Sequence, residues 1–142
     1  MAEVNREKVI TLITEVQKAR KQLESYVSLP AEIVLGSPEK LNSVKYLFVI
    51  GLEACIDICQ HISAKLFQEV PESCSSCFDV LNKKGVISQS LCERMAHLAQ
   101  FRNVLVHLYW KVDDRRVLDH LTQIETLDEF TKVIAKYLDL SR

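Results

Sequence analysis

Apolar residues recur every three or four positions along most of the chain, which is the spacing of one buried face of an α-helix. The pattern predicts long helices over residues 3–27 and 38–68 and a short helix over 77–84. It continues with a helix over 89–110 and a last long helix over 117–138. Because the connections between these elements are short, the predicted fold class is all-α, an up-and-down helical bundle of four to five helices.

Local signals mark several ends of these helices. Ser37 followed by Pro38 predicts an N-cap with proline in the first turn, and Ser88 is expected to open the next helix. Gly85 suits the left-handed position just beyond a helix end. Residues 28–38, which hold two of the three prolines, are predicted to be a connection, and the polar stretch 112–116 is predicted to be a turn.

The length and composition are those of one globular domain. With 142 residues, 48% of them hydrophobic, the chain can bury one core, and a single domain over residues 1–142 is predicted. Its 18 basic and 19 acidic residues nearly cancel, so no global field draws the protein to nucleic acid or to an anionic membrane. A polyanionic partner would therefore have to bind at a local basic patch.

The chain is expected to be cytoplasmic and to have no membrane partner. Its N-terminal stretch carries charged residues from the third position on and has no apolar signal core. The most apolar region, YLFVIGLEACIDICQHI, is interrupted by Glu53 and Asp57, and we interpret it as too short and too polar to span a bilayer.

The five cysteines favour a reducing compartment, because an odd number does not suit a secreted disulfide framework. Cys74 and Cys77 form a CxxC pair, which could be half of a zinc site, but no second CxxC or HxxxH pair accompanies it. We therefore expect no metal site and no cofactor. A plain helical dimer with a structural zinc at this pair is an alternative.

The segment FRNVLVHLYW, residues 101–110, places polar groups inside an apolar helical pattern. Arg102 falls in the same stripe as Leu98 and Leu105, and an arginine there needs an acceptor because an unpaired buried charge is costly. Asp57 is the candidate acceptor, since it lies in a matching apolar stripe of the second helix. The residues alone leave two interpretations: ordinary satisfied polar groups, or groups held in place for chemistry.

The angular positions in this segment follow from about 100° of rotation per residue in a straight helix. Arg102 and Tyr109 are seven apart and nearly in register, whereas His107 is rotated by about 140° from Arg102. Asn103 and His107 are one turn apart and share a face. The arginine and the histidine therefore belong to one site only if the helix distorts, the arginine reaches round, or two subunits each supply a part.

Arg102, His107 and Tyr109 match the RX4HXY motif of the HepT-like branch of the HEPN superfamily, and the Asn103 next to the arginine agrees with it. The stretch SVKYLFVIGLEACIDICQHISAK also resembles the second helix of this branch, which has an acidic residue inside an apolar run. The similarity in order and length extends over nearly the whole chain. Motif, second helix, length and all-helical pattern together carry the resemblance.

This resemblance implies the toxin of a toxin–antitoxin pair. Such a toxin is a metal-independent ribonuclease that forms a homodimer, in which arginine and histidine residues from both subunits line a cleft. The implied partner is a minimal nucleotidyltransferase (MNT-type) antitoxin that transfers AMP from ATP onto the tyrosine of the motif, here Tyr109. The implied substrate is RNA, with both tRNA and mRNA open.

The chemical properties of these side chains agree with the roles that the resemblance implies. Histidine, with an unperturbed pKa of about 6.5, can move protons near neutral pH, so His107 is assigned general acid/base catalysis on the 2′-hydroxyl or the leaving oxygen. Arg102 is assigned phosphate binding and transition-state stabilisation. Asn103 is expected to orient the phosphate or the imidazole, and Asp57 to position Arg102 or His107. A basic rim for RNA is expected just beyond the motif at Lys111, Arg115 and Arg116.

The main alternative function is a non-catalytic helical module that binds a nucleotide or docks a nucleotidyltransferase without cutting RNA. The near-neutral net charge favours it mildly. His61, His97 and His120 lack ligand spacing with one another, and we predict no site role for them.

Overall fold

The computed structural model describes residues 3–140, so the first two and last two residues of the predicted domain lie outside the described residues. Within that range the regular structure is entirely helical, and the all-α prediction is confirmed. The α-helices are α1 Arg6–Val27, α2 Ala31–Leu35, α3 Pro38–Phe67, α4 Cys77–Lys83, α5 Gln89–His107, α6 Asp114–Asp119 and α7 Ile124–Tyr137. Two 3-10 segments, Tyr109–Lys111 and His120–Gln123, lie on either side of α6.

The four long helices form the predicted bundle. Helix α1 packs on α3, α3 on α5, α5 on α7 and α7 back on α1, which closes the ring of contacts. The short helices α2, α4 and α6 lie in the connections between the long ones. Apolar stripes of all four long helices meet in one buried cluster, in which Phe48, Phe78 and Phe130 are among the largest fully buried side chains.

The predicted caps are confirmed. The hydroxyls of Ser37 and Ser88 each accept the backbone N–H three residues on, at 3.2 and 3.1 Å, and so satisfy donors that have no partner inside the helix. Gly85 lies just beyond α4 with a φ of +78°, a conformation that residues with a Cβ rarely adopt. Helix α1 begins at Arg6, later than predicted, because the Asn5 side chain caps it.

Four predictions about where elements begin and end are wrong. The connection over residues 28–38 contains α2. The helix predicted over 89–110 ends at His107, because Leu108 leaves helical geometry with φ −129° and ψ 39°. The polar stretch 112–116 is the start of α6 rather than a plain turn, since Asp113 Oδ1 accepts the Arg115 N–H at 3.0 Å and caps the helix. The predicted last helix is accordingly divided between α6, a 3-10 segment and α7.

Helix α3 is the central element of the fold. Its 30 residues and a mean hydropathy of 1.5 in its most apolar window make it long and apolar enough to cross a membrane, so the expectation that this region is too short and too polar is wrong. Within the fold, however, 61% of that window is buried, as in the core helix of a helical bundle. At Gly51 a Cβ would lie 3.3 Å from Ala19 Cβ, which shows how closely α3 crosses α1.

Candidate functional site

Arg102 lies on α5 with its guanidinium bonded to α3. Its side chain is 12% exposed, and its Nε donates to Glu53 Oε1 at 2.8 Å. Nη2 donates to the same carboxylate oxygen, so Glu53 holds the guanidinium along one edge. Nη1 donates to Asn103 Oδ1 at 2.7 Å. These acceptors compensate a cation that sits in an apolar helix stripe.

The acceptor of Arg102 is Glu53, and the expectation that Asp57 fills this position is wrong. Among the described residues Asp57 makes no hydrogen bond or ion pair. It lies one turn further along α3, where burial raises the pKa of its carboxyl above the ordinary value. The like charge of Glu53 raises the pKa of Asp57 further, whereas Lys8 and Arg102 lower it. Asp57 therefore acts on Arg102 through charge alone.

Glu53 is the residue of the candidate site that the sequence interpretation missed. It interrupts the same apolar run as Asp57 and lies one helical turn before it, so the two acids carry the same sequence signal. Which of them meets Arg102 depends on where α5 crosses α3. That crossing is a property of the packed helices, which the hydrophobic pattern of either helix does not contain.

Asn103 and Cys74 complete the surroundings of the guanidinium. Asn103 was expected to orient a phosphate or the imidazole, but its side-chain oxygen accepts from Arg102, so it orients the guanidinium. Cys74, in the loop between α3 and α4, places its Sγ 3.9 Å from Arg102 Nη1. Arginine has five N–H donors; among the described residues, Glu53 and Asn103 take three of them and the Cys74 sulfur takes a fourth, so one N–H of Nη2 is left for a phosphate.

His107 is the last residue of α5, and it is exposed. Within residues 3–140 its imidazole makes no hydrogen bond, which leaves both ring nitrogens available to a ligand. Five residues separate it from Arg102, a rotation of about 140° on an α-helix. In one chain the arginine and the histidine therefore occupy different sides of α5, and the structure does not bring them together.

Tyr109 is 65% exposed, and it does not lie in the core stripe. The predicted register between Arg102 and Tyr109 is wrong, because α5 ends at His107 and Tyr109 begins a 3-10 turn. Its ring packs edge-on against Trp110, which is 67% exposed, with the ring centroids 5.4 Å apart. The motif tyrosine is therefore an accessible phenol beside a second exposed aromatic ring.

The predicted basic rim is divided. Lys111 and Arg116 border a groove of about 560 Å³ between α5 and α6. Arg115 instead places Nη2 3.9 Å from a carboxylate oxygen of Glu32 on α2, and both side chains are largely exposed. The three basic residues that the sequence predicts as one rim therefore lie on two different surfaces.

Four of the five cysteines are buried, and Cys74 is partly buried. The Cys77 thiol is buried and donates to the Cys74 carbonyl oxygen at 2.9 Å. Burial raises the pKa of the Cys55 and Cys59 thiols, and burial together with Asp79 raises the pKa of Cys92 to about 11. Among residues 3–140, no group of three or more histidine, cysteine, aspartate or glutamate side chains could hold a metal ion.

Comparison with known proteins gives one family match and several relatives. The family model described as "Ribonuclease HepT-like" matches residues 16–134. The chain is 31% identical over 84 residues to the mRNA nuclease HepT of Shewanella oneidensis. That match covers 58% of this chain and 62% of the relative, so the aligned segment spans less than two thirds of the relative's length.

Solved structures with the same fold were also found. The HEPN toxin of Shewanella oneidensis, solved tri-AMPylated and in complex with an MNT antitoxin, superposes with a TM-score of 0.83 at 24% identity, over 91% of this chain and 97% of the toxin. YutE, a cytosolic protein of unknown function from Bacillus subtilis, superposes with a TM-score of 0.85 at 18% identity, over 99% of this chain and 94% of YutE. At these identities the likeness establishes a shared helical fold.

Proposed function

This chain belongs to the HepT-like ribonuclease family, and on that premise we propose that it is the ribonuclease toxin of a toxin–antitoxin pair, acting on RNA in the cytoplasm. The observation that carries the proposal is that one helix presents both an exposed imidazole without a hydrogen bond among the described residues, at His107, and an ion-paired guanidinium, at Arg102. These are the two groups that RNA cleavage without a metal requires: one moves a proton near neutral pH, and the other stabilises charge on a phosphoryl group.

His107 is the proposed general acid/base. As the 2′-oxygen of the RNA attacks phosphorus, the imidazole takes the 2′-hydroxyl proton and the bond to the 5′-oxygen breaks. The imidazolium then gives that proton to the leaving 5′-oxygen, which leaves a 2′,3′-cyclic phosphate end and a 5′-hydroxyl end. Exposure at the end of α5 supports this role, because a phosphodiester can approach the ring without displacing packed side chains.

Arg102 is the proposed phosphate-binding residue, and Glu53 is its positioning residue. Two hydrogen bonds to one carboxylate oxygen fix the plane of the guanidinium. The remaining N–H of Nη2, together with the N–H that makes only a 3.9 Å contact with the Cys74 sulfur, can meet phosphoryl oxygens as their charge develops. Preorganisation of this kind lowers the cost of binding a transition state, because little reorientation is needed during the reaction.

The active unit is proposed to be a homodimer with the cleft between the subunits. The rotation of about 140° between Arg102 and His107 separates them within one chain. A second chain related by two-fold symmetry can set its own α5 against the first, so that the arginine of one subunit faces the histidine of the other. Exposed apolar side chains beside the motif support such contact, namely Val106, Leu108 and Trp110.

Tyr109 is the proposed point of control by an MNT-type nucleotidyltransferase that uses ATP. Its exposed hydroxyl is accessible to a partner enzyme, and its position two residues after His107 supports a location for the attached AMP at the proposed cleft between the subunits. In that cleft the phosphate would compete with RNA for the arginine of the other subunit, and the added bulk would block the approach to His107. Inhibition would then need no refolding of the bundle.

Growth arrest and RNA cleavage test the ribonuclease proposal. We expect expression of the chain alone to arrest growth, and His107→Ala or Arg102→Ala to abolish the arrest while the helical circular dichroism and melting temperature stay near those of the parent. Arg94→Ala is the matched control, since Arg94 is also on α5 and is also ion-paired, to Glu129 at 2.8 Å. Cleavage that a chelator stops and magnesium restores would contradict the proposed metal-independent mechanism.

Intact-mass measurement tests the control proposal. Incubation with an MNT-type nucleotidyltransferase and ATP should add whole AMP units, and Tyr109→Phe should prevent the addition. Tyr46→Phe is the matched control, because Tyr46 is equally exposed, at 64%, but lies on α3. An unchanged mass with full neutralisation would leave tight binding as the means of inhibition. Partner binding without RNA cleavage by the free chain would favour the non-catalytic docking module instead.

A further inference from the structure

A groove between α5 and α6 lies outside the arginine and histidine chemistry described above. It has a volume of about 560 Å³, which is within the range of small-molecule sites and large enough for one nucleotide. We call it the α5–α6 groove. Its lining includes His97, Phe101, Val104, Lys111, Arg116 and His120.

Three rings make one wall of the α5–α6 groove. Phe101 and His120 stack with their centroids 3.7 Å apart and their planes 3° from parallel. His97 lies 5.8 Å from His120 with its plane inclined by 15°. His120 Nδ1 donates to the Arg116 carbonyl oxygen at 2.7 Å, which fixes the orientation of the ring. The three rings are therefore parallel and stacked on one another, and the outer face of such a stack is a surface on which an unpaired nucleobase can stack.

The wall is anchored to the core on one side and open on the other. Phe48, which is buried, packs edge-on against Phe101 with the ring centroids 5.2 Å apart. His97 is exposed, and Phe101 and His120 are partly exposed. A planar ligand can therefore reach the stack without opening the bundle.

The mouth of the groove is basic. Lys111 and Arg116 are exposed, and within residues 3–140 neither of them has an ion-pair partner. Asp113 also lines the groove, but its carboxylate accepts the Arg115 N–H as the cap of α6. Two uncommitted cations beside an aromatic wall match the two parts of a nucleotide, the phosphate and the base.

The lining of the groove includes a residue from within the RX4HXY segment. Leu108, which lies between His107 and Tyr109, is part of its lining. From this placement we infer that the α5–α6 groove binds one unpaired nucleotide of the RNA strand, with its base on the exposed His97 end of the ring stack and its phosphate at Lys111 and Arg116. The inference rests on the proposed ribonuclease function and adds to it a preference for single-stranded RNA beside the cleavage position.

RNA binding by a chain that cannot cut tests the ring wall. In the His107→Ala background, fluorescence anisotropy would follow binding of a labelled single-stranded RNA octamer and of the same sequence in a duplex. We expect the single strand to bind more tightly. Adding His97→Ala should weaken single-strand binding about fivefold or more, since stacking on one ring is lost. Adding His97→Phe should retain the affinity, because a flat ring is kept.

The same assay tests the basic mouth. Lys111→Ala together with Arg116→Ala should weaken binding and reduce the slope of log affinity against log salt by about 1 to 2, because two phosphate contacts are removed. Arg115→Ala is the matched control, since this neighbouring arginine faces Glu32 and should leave the slope unchanged. Photo-crosslinking with 4-thiouridine RNA should label the peptide that contains residues 97–101.

Each outcome decides between the groove and the ribonuclease proposal. Single-strand affinity that is unchanged in the His97→Ala and the Lys111/Arg116 variants overturns the groove inference, even if the parent chain still cuts RNA. The same holds if these variants lose only the nucleotidyltransferase, since the groove is then a protein-docking surface. Groove-dependent RNA binding by a parent chain that never cuts RNA keeps the inference and removes the ribonuclease proposal.

Discussion

Arg102 is the residue whose surroundings most constrain the candidate site. Its guanidinium is nearly buried, while the Glu53 side chain that holds it is 44% exposed. The contribution of such a half-buried pair to the free energy of unfolding lies between two limits. A surface ion pair contributes little, whereas disruption of a buried pair is strongly destabilising. We therefore expect the pair to matter more for the orientation of the guanidinium than for the stability of the fold.

Replacing Glu53 tests this positioning role. Glu53→Gln keeps the shape but removes the charge, so we expect loss of growth arrest with a decrease of only about 1 kcal/mol in the free energy of unfolding, measured with urea. Glu53→Asp should restore part of the activity. Asp57→Asn is the matched control on α3. Because Asp57 has a raised pKa, its charged form is disfavoured relative to an exposed carboxylate, and the neutral isostere should not lower stability.

The opposite pattern would contradict this assignment. If Asp57→Asn abolished the growth arrest while Glu53→Gln left it intact, the positioning role would belong to Asp57, and the hydrogen bonds from Arg102 to Glu53 would be structural only. Measuring cleavage rate against RNA concentration separates the cases, because a misoriented guanidinium should lower kcat as well as raise KM.

The residues of the candidate site could be predicted to different extents. Arg102 was identifiable because it interrupts an apolar helical stripe, and His107 because it completes the RX4HXY motif with Arg102 and Tyr109; both patterns lie within one segment. Glu53 was not, because its contact with Arg102 joins positions 49 residues apart and depends on the helix crossing. The groove was missed for the same reason: His97 and His120 are on different helices, and only their packing stacks the rings.

At the scale of elements, the end of α5 shapes the site. The segment 101–110 contains no glycine or proline, and its apolar pattern continues past His107, so the sequence predicted a helix as far as residue 110. The break at Leu108 turns Tyr109 and Trp110 outward. The start of α6 did have a signal in the sequence, since aspartate is a preferred N-cap and Asp113 caps this helix.

The close crossing of α1 and α3 at Gly51 gives a prediction about an element pair. A Cβ there would already lie 3.3 Å from Ala19 Cβ, so a branched side chain has no room. Gly51→Val should lower the free energy of unfolding by about 1–3 kcal/mol through overpacking. Ala64→Val, at an exposed position on the same helix, is the matched control and should cost less than about 1 kcal/mol. Similar losses in both variants, measured by urea unfolding, would contradict the tight crossing.

At the scale of the molecule, two partly buried histidines make stability depend on pH. Burial is the main cause that lowers the pKa of His61 and of His120. Lys8 and Lys65 lower the pKa of His61 further. At His120, the neighbouring His97 and Arg116 lower the pKa, whereas Asp119 and the backbone hydrogen bond raise it.

The sign of this dependence is set by the lowered pKa values. Between the folded pKa and the unfolded pKa of about 6.5, the unfolded chain binds more protons, so stability falls as pH falls through that window and is fully present above it. Protonation of His61 also removes the bond that its Nε2 accepts from the Asn5 N–H at 3.0 Å. The melting temperature should therefore decrease from pH 7 to pH 5.5, and less so in His61→Gln/His120→Phe. A melting temperature that rises over this range would contradict the prediction.

The exposed apolar side chains beside the motif predict self-association of the whole molecule. Val106 and Trp110 are 38% and 67% exposed, and they lie four residues apart in the chain. Light scattering should therefore give about twice the 16.3 kDa chain mass. Trp110→Lys should shift the protein to monomer and abolish growth arrest. Val70→Lys is the matched control, since Val70 is 89% exposed in the loop after α3 and should leave the mass unchanged.

Mixing two inactive variants tests whether the site is shared between subunits. In Arg102→Ala the histidine is intact, and in His107→Ala the arginine is intact. If the arginine of one subunit works with the histidine of the other, a mixed dimer contains one site with both groups, and cleavage should return to as much as half of the parent activity per mixed dimer. If both groups come from the same chain, every site in the mixture lacks one of them. A mixture that stays inactive although subunit exchange is shown by mass spectrometry, or a fully active monomer at nanomolar concentration, would exclude the shared site.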